Sequence, residues 1–385
     1  MASYQAVITG GGPAGLAAGI ALARSGLRVL LVERKRFPVD KCCGEGVLPT
    51  GAAHLEDLGV TACLQPGDSF PIRGIRYHTP AGRTATGYFR EGPGLGIPRE
   101  RLSGALRARA EALPGLEICE GLKASAYSRQ SGRMVVELEG RRASAPLLVG
   151  ADGLNSGLRR WAGLDGPAPA RRRWGARRHF GCPPWSDCVE VFWGRGIEAY
   201  ITPCGPDRVS AAFLWDQARF VPEREGKDLV WSLLKPFPEL RERLSGAPLG
   251  GQALAVGPLQ RNAIRPAADG VALVGDASGY LDALTGEGIS LALAQALALE
   301  ACAAPRLQAR GEEGPLLGLE ELRDYVRAHR AICRPNRLMT RALLGLSRFP
   351  ILVELAVSGL QGRSGLFSRL LSMNMGSAGF WPFQS

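Results

Sequence analysis

Three short apolar runs, each ending in a glycine turn, constrain most of what this chain can fold into. Residues 4–9 lead into Gly10-Gly11-Gly12-Pro13-Ala14-Gly15. Leu147-Leu148-Val149 leads into Gly150-Ala151-Asp152-Gly153. Val271-Ala272-Leu273-Val274 leads into Gly275-Asp276 and on to Gly286-Glu287-Gly288. Each reads as a buried strand whose turn brings backbone close to a ligand. The first is the fullest. Residues 15–25 are small and apolar at helical spacing, Gly26 stops the helix, and residues 27–32 form a second apolar run ending at Glu33 and Arg34. This strand–turn–helix–strand unit has dinucleotide-binding character. Gly10 permits the tight turn, Gly12 lets backbone approach a pyrophosphate, and Gly15 lets the helix lie on the strand. The helix start, from Ala14 onward after Pro13, offers N–H groups and a positive dipole end to phosphates. Glu33, eighteen residues after Gly15, is placed to accept from ribose hydroxyls.

Taken together, these residues resemble the para-hydroxybenzoate hydroxylase-like flavoprotein superfamily, which includes aromatic hydroxylases, flavin halogenases and geranylgeranyl reductases. The resemblance spans residues 1 to about 300. It implies FAD as cofactor, with NADPH or NADH as a transient electron donor. It implies that the Asp152-Gly153 turn supports the cofactor and borders the donor's path. Gly275-Asp276 would place a carboxylate on the ribityl hydroxyls. Gly286, Gly288 and Ile289 would lie beside the isoalloxazine. Arg99, in Ile97-Pro98-Arg99-Glu100-Arg101-Leu102, matches an arginine that opens a helix in the family.

A closer likeness lies in Lys41-Cys42-Cys43-Gly44-Glu45-Gly46-Val47-Leu48-Pro49, which is similar to the cysteine-glycine segment of geranylgeranyl-reductase-like enzymes. That likeness places Cys43 and Gly44 near the flavin. The tract ending Tyr200-Ile201-Thr202-Pro203 departs from those reductases' Tyr-x-Trp-x-Phe-Pro, which counts against a prenyl substrate. The Trp-x-Trp-x-Ile-Pro tract of flavin halogenases is missing, and none of the five lysines has a halogenase context.

Composition sets the outer bounds. The chain has 385 residues, 45% hydrophobic and 22% charged, enough for a large core. Its net charge of +11 comes mostly from arginine, in small clusters at 141–142, 159–160, 171–173 and 177–178. These read as solvated surface, without the basic stripe and recognised fold that nucleic-acid binding needs. Nine cysteines and four histidines show no metal-ligand spacing, so no metal is expected. A start directly on a strand, with no leader pattern, suggests a reducing cytoplasm. The apolar tract 342–360, broken by Arg348, Pro350 and Glu354, is expected to pack on the body, line a substrate entrance or touch a membrane surface, not to span one. The aromatic cluster Gly379-Phe380-Trp381-Pro382-Phe383 is expected to dock, over the substrate cavity.

The expected architecture is α/β. A Rossmann-like FAD-binding domain is assembled from residues 1–70, 96–162 and 261–304. A mainly antiparallel β-sheet substrate domain occupies 71–95 and 163–260, and residues 305–385 form a helical C-terminal region. The expected function is that of a flavin monooxygenase that hydroxylates or epoxidises a hydrophobic small molecule, free or held on a carrier protein. The alternative is a reductase of carbon–carbon double bonds; a halogenase or an electron carrier ranks lower. Cys43, Glu45 and Tyr200 are the candidate catalytic residues, with Phe213, Trp215 and Thr285 as further pocket candidates. For Cys43 two roles stay open: packing the loop under the flavin, or acting as a proton donor or covalent anchor.

Overall fold

A computed structural model describes residues 2–169, 171–223 and 228–375. The aromatic cluster at 379–383 lies outside the described residues. The three apolar runs become neighbours in one six-stranded sheet: Ala267–Ala268, Val271–Leu273, Leu147–Gly150, Ala6–Thr9, Val29–Glu33, Leu116–Glu120. All pairings are parallel except the first. Register puts Gly150 opposite both Thr9 and Leu273. All three glycine turns therefore emerge side by side at the strands' carboxyl ends, where open α/β sheets bind ligands. Backbone hydrogen bonds tie them further, from Gly10 N–H to Val32, Ala151 N–H to Thr9 and Val274 N–H to Gly150.

Helices α1 (Pro13–Arg24), α2 (Pro49–Asp57), α3 (Arg99–Glu111) and α4 (Gly157–Trp161) belong to this part of the chain. α1 is buried along its length except for Arg24, because its alanines and glycines let it lie flat on the sheet. The opposite face is covered by antiparallel strands at Ala124–Gln130, Arg133–Leu138 and Arg141–Ala145, joined by Ala2–Ser3. These strands escaped the sequence reading, because Ala, Ser and Arg dominate two of them.

A seven-stranded sheet runs Leu249–Val256, Arg173–Phe180, Arg208–Asp216, Ile197–Gly205, Cys188–Trp193, Gly74–His78, Thr84–Tyr88. Its only parallel pairing joins Cys188–Trp193 to Gly74–His78. Helices α5 (Leu229–Leu234) and α6 (Pro238–Ser245) close one face over a core that includes Phe180, Phe213 and Trp215.

α7 (Gly288–Arg310) is the chain's most apolar long helix, in place of the 342–360 tract. By length and hydropathy it could cross a membrane, yet two thirds of that window is buried, and it packs between α1 and α8 (Arg323–Leu346) as a core helix. α9 (Pro350–Leu360) and α10 (Ser364–Met375) follow. α8 and α9 meet at a bend of 118°.

The arginine clusters are solvated surface only in part: Arg142, Arg160 and Arg172 are exposed, but one member of each of three clusters is not. Arg159, Arg173 and Arg177 are all buried and ion-paired, to Asp165, to Glu198 and Asp282, and to Asp40 and Glu45 respectively. Pairing offsets part of the desolvation cost that isolation would impose.

Candidate flavin and substrate site

A cavity of about 420 Å³ lies between the three glycine turns and the seven-stranded sheet, with its far end bordered by α8, α9 and α10. The first turn shows why each glycine is there. Gly10 has φ +105°, and a Cβ on it would stand 2.4 Å from the Ala151 carbonyl oxygen. A Cβ on Gly15 would fall 1.8 Å from the Gly10 oxygen. Gly12 is different: a Cβ there meets only Arg99 Nη2, at 3.6 Å. Two glycines thus close the turn on the protein, and the third faces open space at the start of α1, which no side chain caps. Gly12, Pro13 and Ala14 line the cavity.

These residues fit a bound FAD. Arg99 is buried, its guanidinium points to Gly12, and its Nε has no partner. A buried unpaired donor beside uncapped helix N–H groups suits a phosphate. Asp276 lines the cavity and pairs with Lys41 at 3.2 Å. Gly275 needs to be glycine, with φ +61° and the Ala14 Cβ only 2.7 Å from where its own would stand. Gly286, with φ +69°, has no atom within 4 Å of a Cβ position, and Gly288 and Ile289 continue the wall.

Glu33 is buried, and its two oxygens accept from Gly11 N–H at 2.6 Å and Lys35 N–H at 2.9 Å. It therefore braces the turn, with a second lone pair on each oxygen left for ribose. Arg34 follows at the strand end with its side chain exposed, and like Glu33 it stands outside the lining of the cavity. Asp152 caps α4 through Gly157 N–H at 2.7 Å, keeps Oδ1 unpartnered, and leaves Gly153 to line the cavity.

The cysteine-glycine segment runs along the cavity from Lys41 to Leu48. Burial raises the Cys42 thiol to about 12 and also pushes the Cys43 thiol up. Both stay protonated near neutrality. Glu45 takes the opposite course. It is fully buried at φ +61°, and it accepts from Arg99 N–H at 2.8 Å and from His179 Nε2 at 2.6 Å, with Arg177 at 3.4 Å. Burial favours its neutral form, but the His179 hydrogen bond and charge, Arg177 and the Arg99 amide outweigh it and hold the carboxyl below its ordinary value. Glu45 lines the cavity as an ionised brace, a role that differs from the proton-donating acid a double-bond reductase needs.

Tyr200 lines the cavity and donates to the Leu284 carbonyl at 3.1 Å. Thr285 lines it as well, whereas Phe213 borders it from the strand but shares the face of Trp215 and packs with it in the core behind the sheet. Trp215 does not line it: it packs in the core behind the sheet, because its place in the strand turns it to the face opposite Leu214.

Sequence reasoning missed Lys41, Arg177, His179, Gln295 and Asn336. Glu45, His179 and Cys204 come together with donor atoms within 4.8 Å, from three separate elements, so no spacing could have shown it. Arg177 already supplies positive charge there, which marks the set as an ion-pair cluster. Behind the third turn, Gln295 Oε1 accepts Gly275 N–H at 2.7 Å, and His329 Nε2 meets Ser278 Oγ at 2.8 Å. Asn336 bridges Thr285 Oγ1, at 2.8 Å, and Glu287. Burial lifts Glu287 to about 7, against the pull of that Asn336 bond.

A family model described as an FAD binding domain matches residues 3–190. Over 328 residues the chain is 30% identical to a menaquinone reductase of Mycobacterium tuberculosis, covering 76% of this chain and 74% of the relative. It is 27% identical to a 6-methylpretetramide 4-monooxygenase of Streptomyces rimosus, covering 94% of this chain and 90% of that one. A flavoprotein/dehydrogenase crystal structure from Cytophaga hutchinsonii superposes with a TM-score of 0.81 at 18% identity, covering 95% of this chain and 92% of the other, which shows the shared fold. The chain belongs to the para-hydroxybenzoate hydroxylase-like superfamily of FAD-dependent oxidoreductases, near its geranylgeranyl-reductase-like and monooxygenase branch.

Proposed function

We propose that this protein is an NAD(P)H-dependent flavin monooxygenase that hydroxylates or epoxidises a hydrophobic small molecule. The observation that carries the reading is the cavity wall. Opposite the glycine turns it is built from Ile75, Val189, Val191, Ala212 and Leu214, with Leu343, Leu360 and Phe367 at its far end. Such a wall excludes water and suits an apolar substrate. The likeness to a monooxygenase over 94% of the chain agrees with it.

Bound FAD supplies electron transfer and, once reduced, reactivity toward dioxygen or an activated double bond. The chain's part is placement. The N–H groups opening α1, with Arg99, would hold the pyrophosphate. Asp276, with Lys41, would hold the ribityl chain. Glu45 orients the Arg99 backbone, and Gln295 holds the Gly275 amide. Tyr200, anchored on Leu284, sets the width of the substrate slot.

A second reading, reduction of a carbon–carbon double bond, has one observation in its favour. Cys43 presents a thiol that stays protonated at the cavity wall, where it could deliver a proton to a substrate carbon. Turnover of the FAD-loaded protein under isotopically labelled dioxygen separates the two. Label in the product supports the monooxygenase. A product gaining two hydrogens, formed equally well without oxygen, overturns it in favour of the reductase. A purified protein that takes up no FAD would defeat both.

A further inference from the structure

We propose that α9 and α10 dock this protein onto an anionic phospholipid bilayer, with the apolar end of the cavity turned toward the lipid. The inference goes beyond the proposed function by naming where the substrate is met, and it rests on that reading only for the cavity accepting an apolar molecule.

α9 is held to the body by one face. Val353 and Val357 are buried, and Glu354 accepts from Thr79 Oγ1 at 2.6 Å and Ala81 N–H at 3.0 Å. The other face is bare: Ile351 is 74% exposed and Leu355 63%. α10 repeats the arrangement. Phe367 and Ser368 are buried against the hairpin at Thr84–Tyr88, where Ser368 Oγ accepts Tyr88 N–H at 2.8 Å. Leu366, Leu370 and Met373, spaced four and three residues apart, form an exposed stripe. Single exposed apolar residues are ordinary, but two adjoining helices with bare apolar faces mark an interaction surface.

Charge selects the occupant. From Arg330 to Met375 the chain carries seven arginines and one carboxylate, Glu354, which is turned inward onto Thr79. None of these arginines has a carboxylate partner among the described residues. Arg348 stands just before α9, Arg363 between α9 and α10, and Arg369 within α10, all exposed. An apolar face bordered by unpaired arginines fits acyl chains and anionic headgroups together. A second copy of the chain would bring the same positive charges against each other, which opposes self-association through this face. The surface also continues into the cavity. Leu370 is exposed yet lines the cavity, beside Leu360 and Phe367. An apolar substrate could therefore pass from lipid to cavity without crossing water.

The test is sedimentation of the FAD-loaded full chain with vesicles of phosphatidylglycerol and phosphatidylcholine, and with phosphatidylcholine alone. Expected is binding to the anionic vesicles that weakens as salt is raised, and a loss of about tenfold or more in the double variant Ile351→Glu with Leu355→Glu, since two buried side chains leave the lipid. Both positions are exposed, so unchanged FAD content and melting temperature show that the variant is folded. The proposal is overturned if the wild type stays in the supernatant, or if the variant binds equally well. It is also overturned if light scattering finds a dimer that the same substitutions split, or if a chain ending at residue 375 binds while the full chain does not. Vesicle binding needs no turnover. Oxidation of NAD(P)H without vesicle binding defeats only the docking, and vesicle binding without turnover defeats only the catalytic reading.

Discussion

Arg99 illustrates how much of this site depends on single side chains. Its amide is fixed by Glu45 and its guanidinium is buried without a partner at Nε, aimed at Gly12. Charge-assisted hydrogen bonds contribute about 1.5–3 kcal/mol, so Arg99→Met should weaken FAD retention roughly tenfold or more, measured by flavin release on dilution. Gly15→Ala should be more severe, because its Cβ would overlap the Gly10 carbonyl; loss of bound flavin with a lowered melting temperature is the expected result. His329 gives a pH signature. Burial, reinforced by Arg337, lowers it from its ordinary 6.5 to about 3. Below about 6.5 the unfolded chain takes up a proton that the folded chain refuses, so stability falls as pH drops toward 3 and is fully kept above 6.5. The difference in melting temperature between wild type and His329→Gln should therefore change across that window and stay constant above it. At this scale the three glycine turns were legible in the sequence, since a tight turn leaves few residue choices. Glu45's partners were not: Arg177 and His179 lie more than a hundred residues away in the chain and meet it only when the second sheet folds over the first.

Among the elements, α7 does the most for the cofactor turn. It opens at Gly288, beside the expected isoalloxazine position, and its Gln295 takes the Gly275 N–H while donating to Cys333 of α8 at 3.2 Å. Gln295→Leu would leave that buried amide unpaired, at about 1–3 kcal/mol. A melting temperature lowered accordingly, together with weaker flavin binding, is expected; an unchanged pair of values would show that water replaces the side chain. The helix runs on to Arg310 through Pro305, past the end of the segment 261–304 assigned to the FAD-binding domain. The small sheet at 124–145 was not legible, because its strands alternate weakly and their burial comes from the larger sheet beneath.

For the whole molecule, the joint between the two large sheets is the critical feature. Arg173, on the seven-stranded sheet, bonds Glu198 at 2.6 Å and Asp282 at 2.8 Å, and Asp282 belongs to the segment that carries the third turn. All three are buried. Burial raises both carboxyls even with Arg173 in place. Removing the cation should cost about 3–5 kcal/mol, since two buried acids lose their partner. Arg173→Met is expected to melt well below the wild type at neutral pH, and the gap should narrow as pH falls and the acids take up protons. A gap that does not depend on pH would assign the loss to packing instead.

By itself the sequence determined the dinucleotide strand, the order of the three glycine turns, the cofactor class and the presence of a second sheet. The strand, the turns and the sheet depend on local rules, namely period, turn sterics and the few residues that can meet a phosphate, and the cofactor class follows from the resemblance those turns carry to a flavoprotein family. Only tertiary structure decided that Arg159, Arg173 and Arg177 are buried ties instead of surface charge, that Glu45 is a brace, that Trp215 faces away from the cavity and that α9 and α10 leave an apolar face bare. Each of these depends on what lies across a contact from a distant part of the chain, and neighbours in space have no signature in spacing along it.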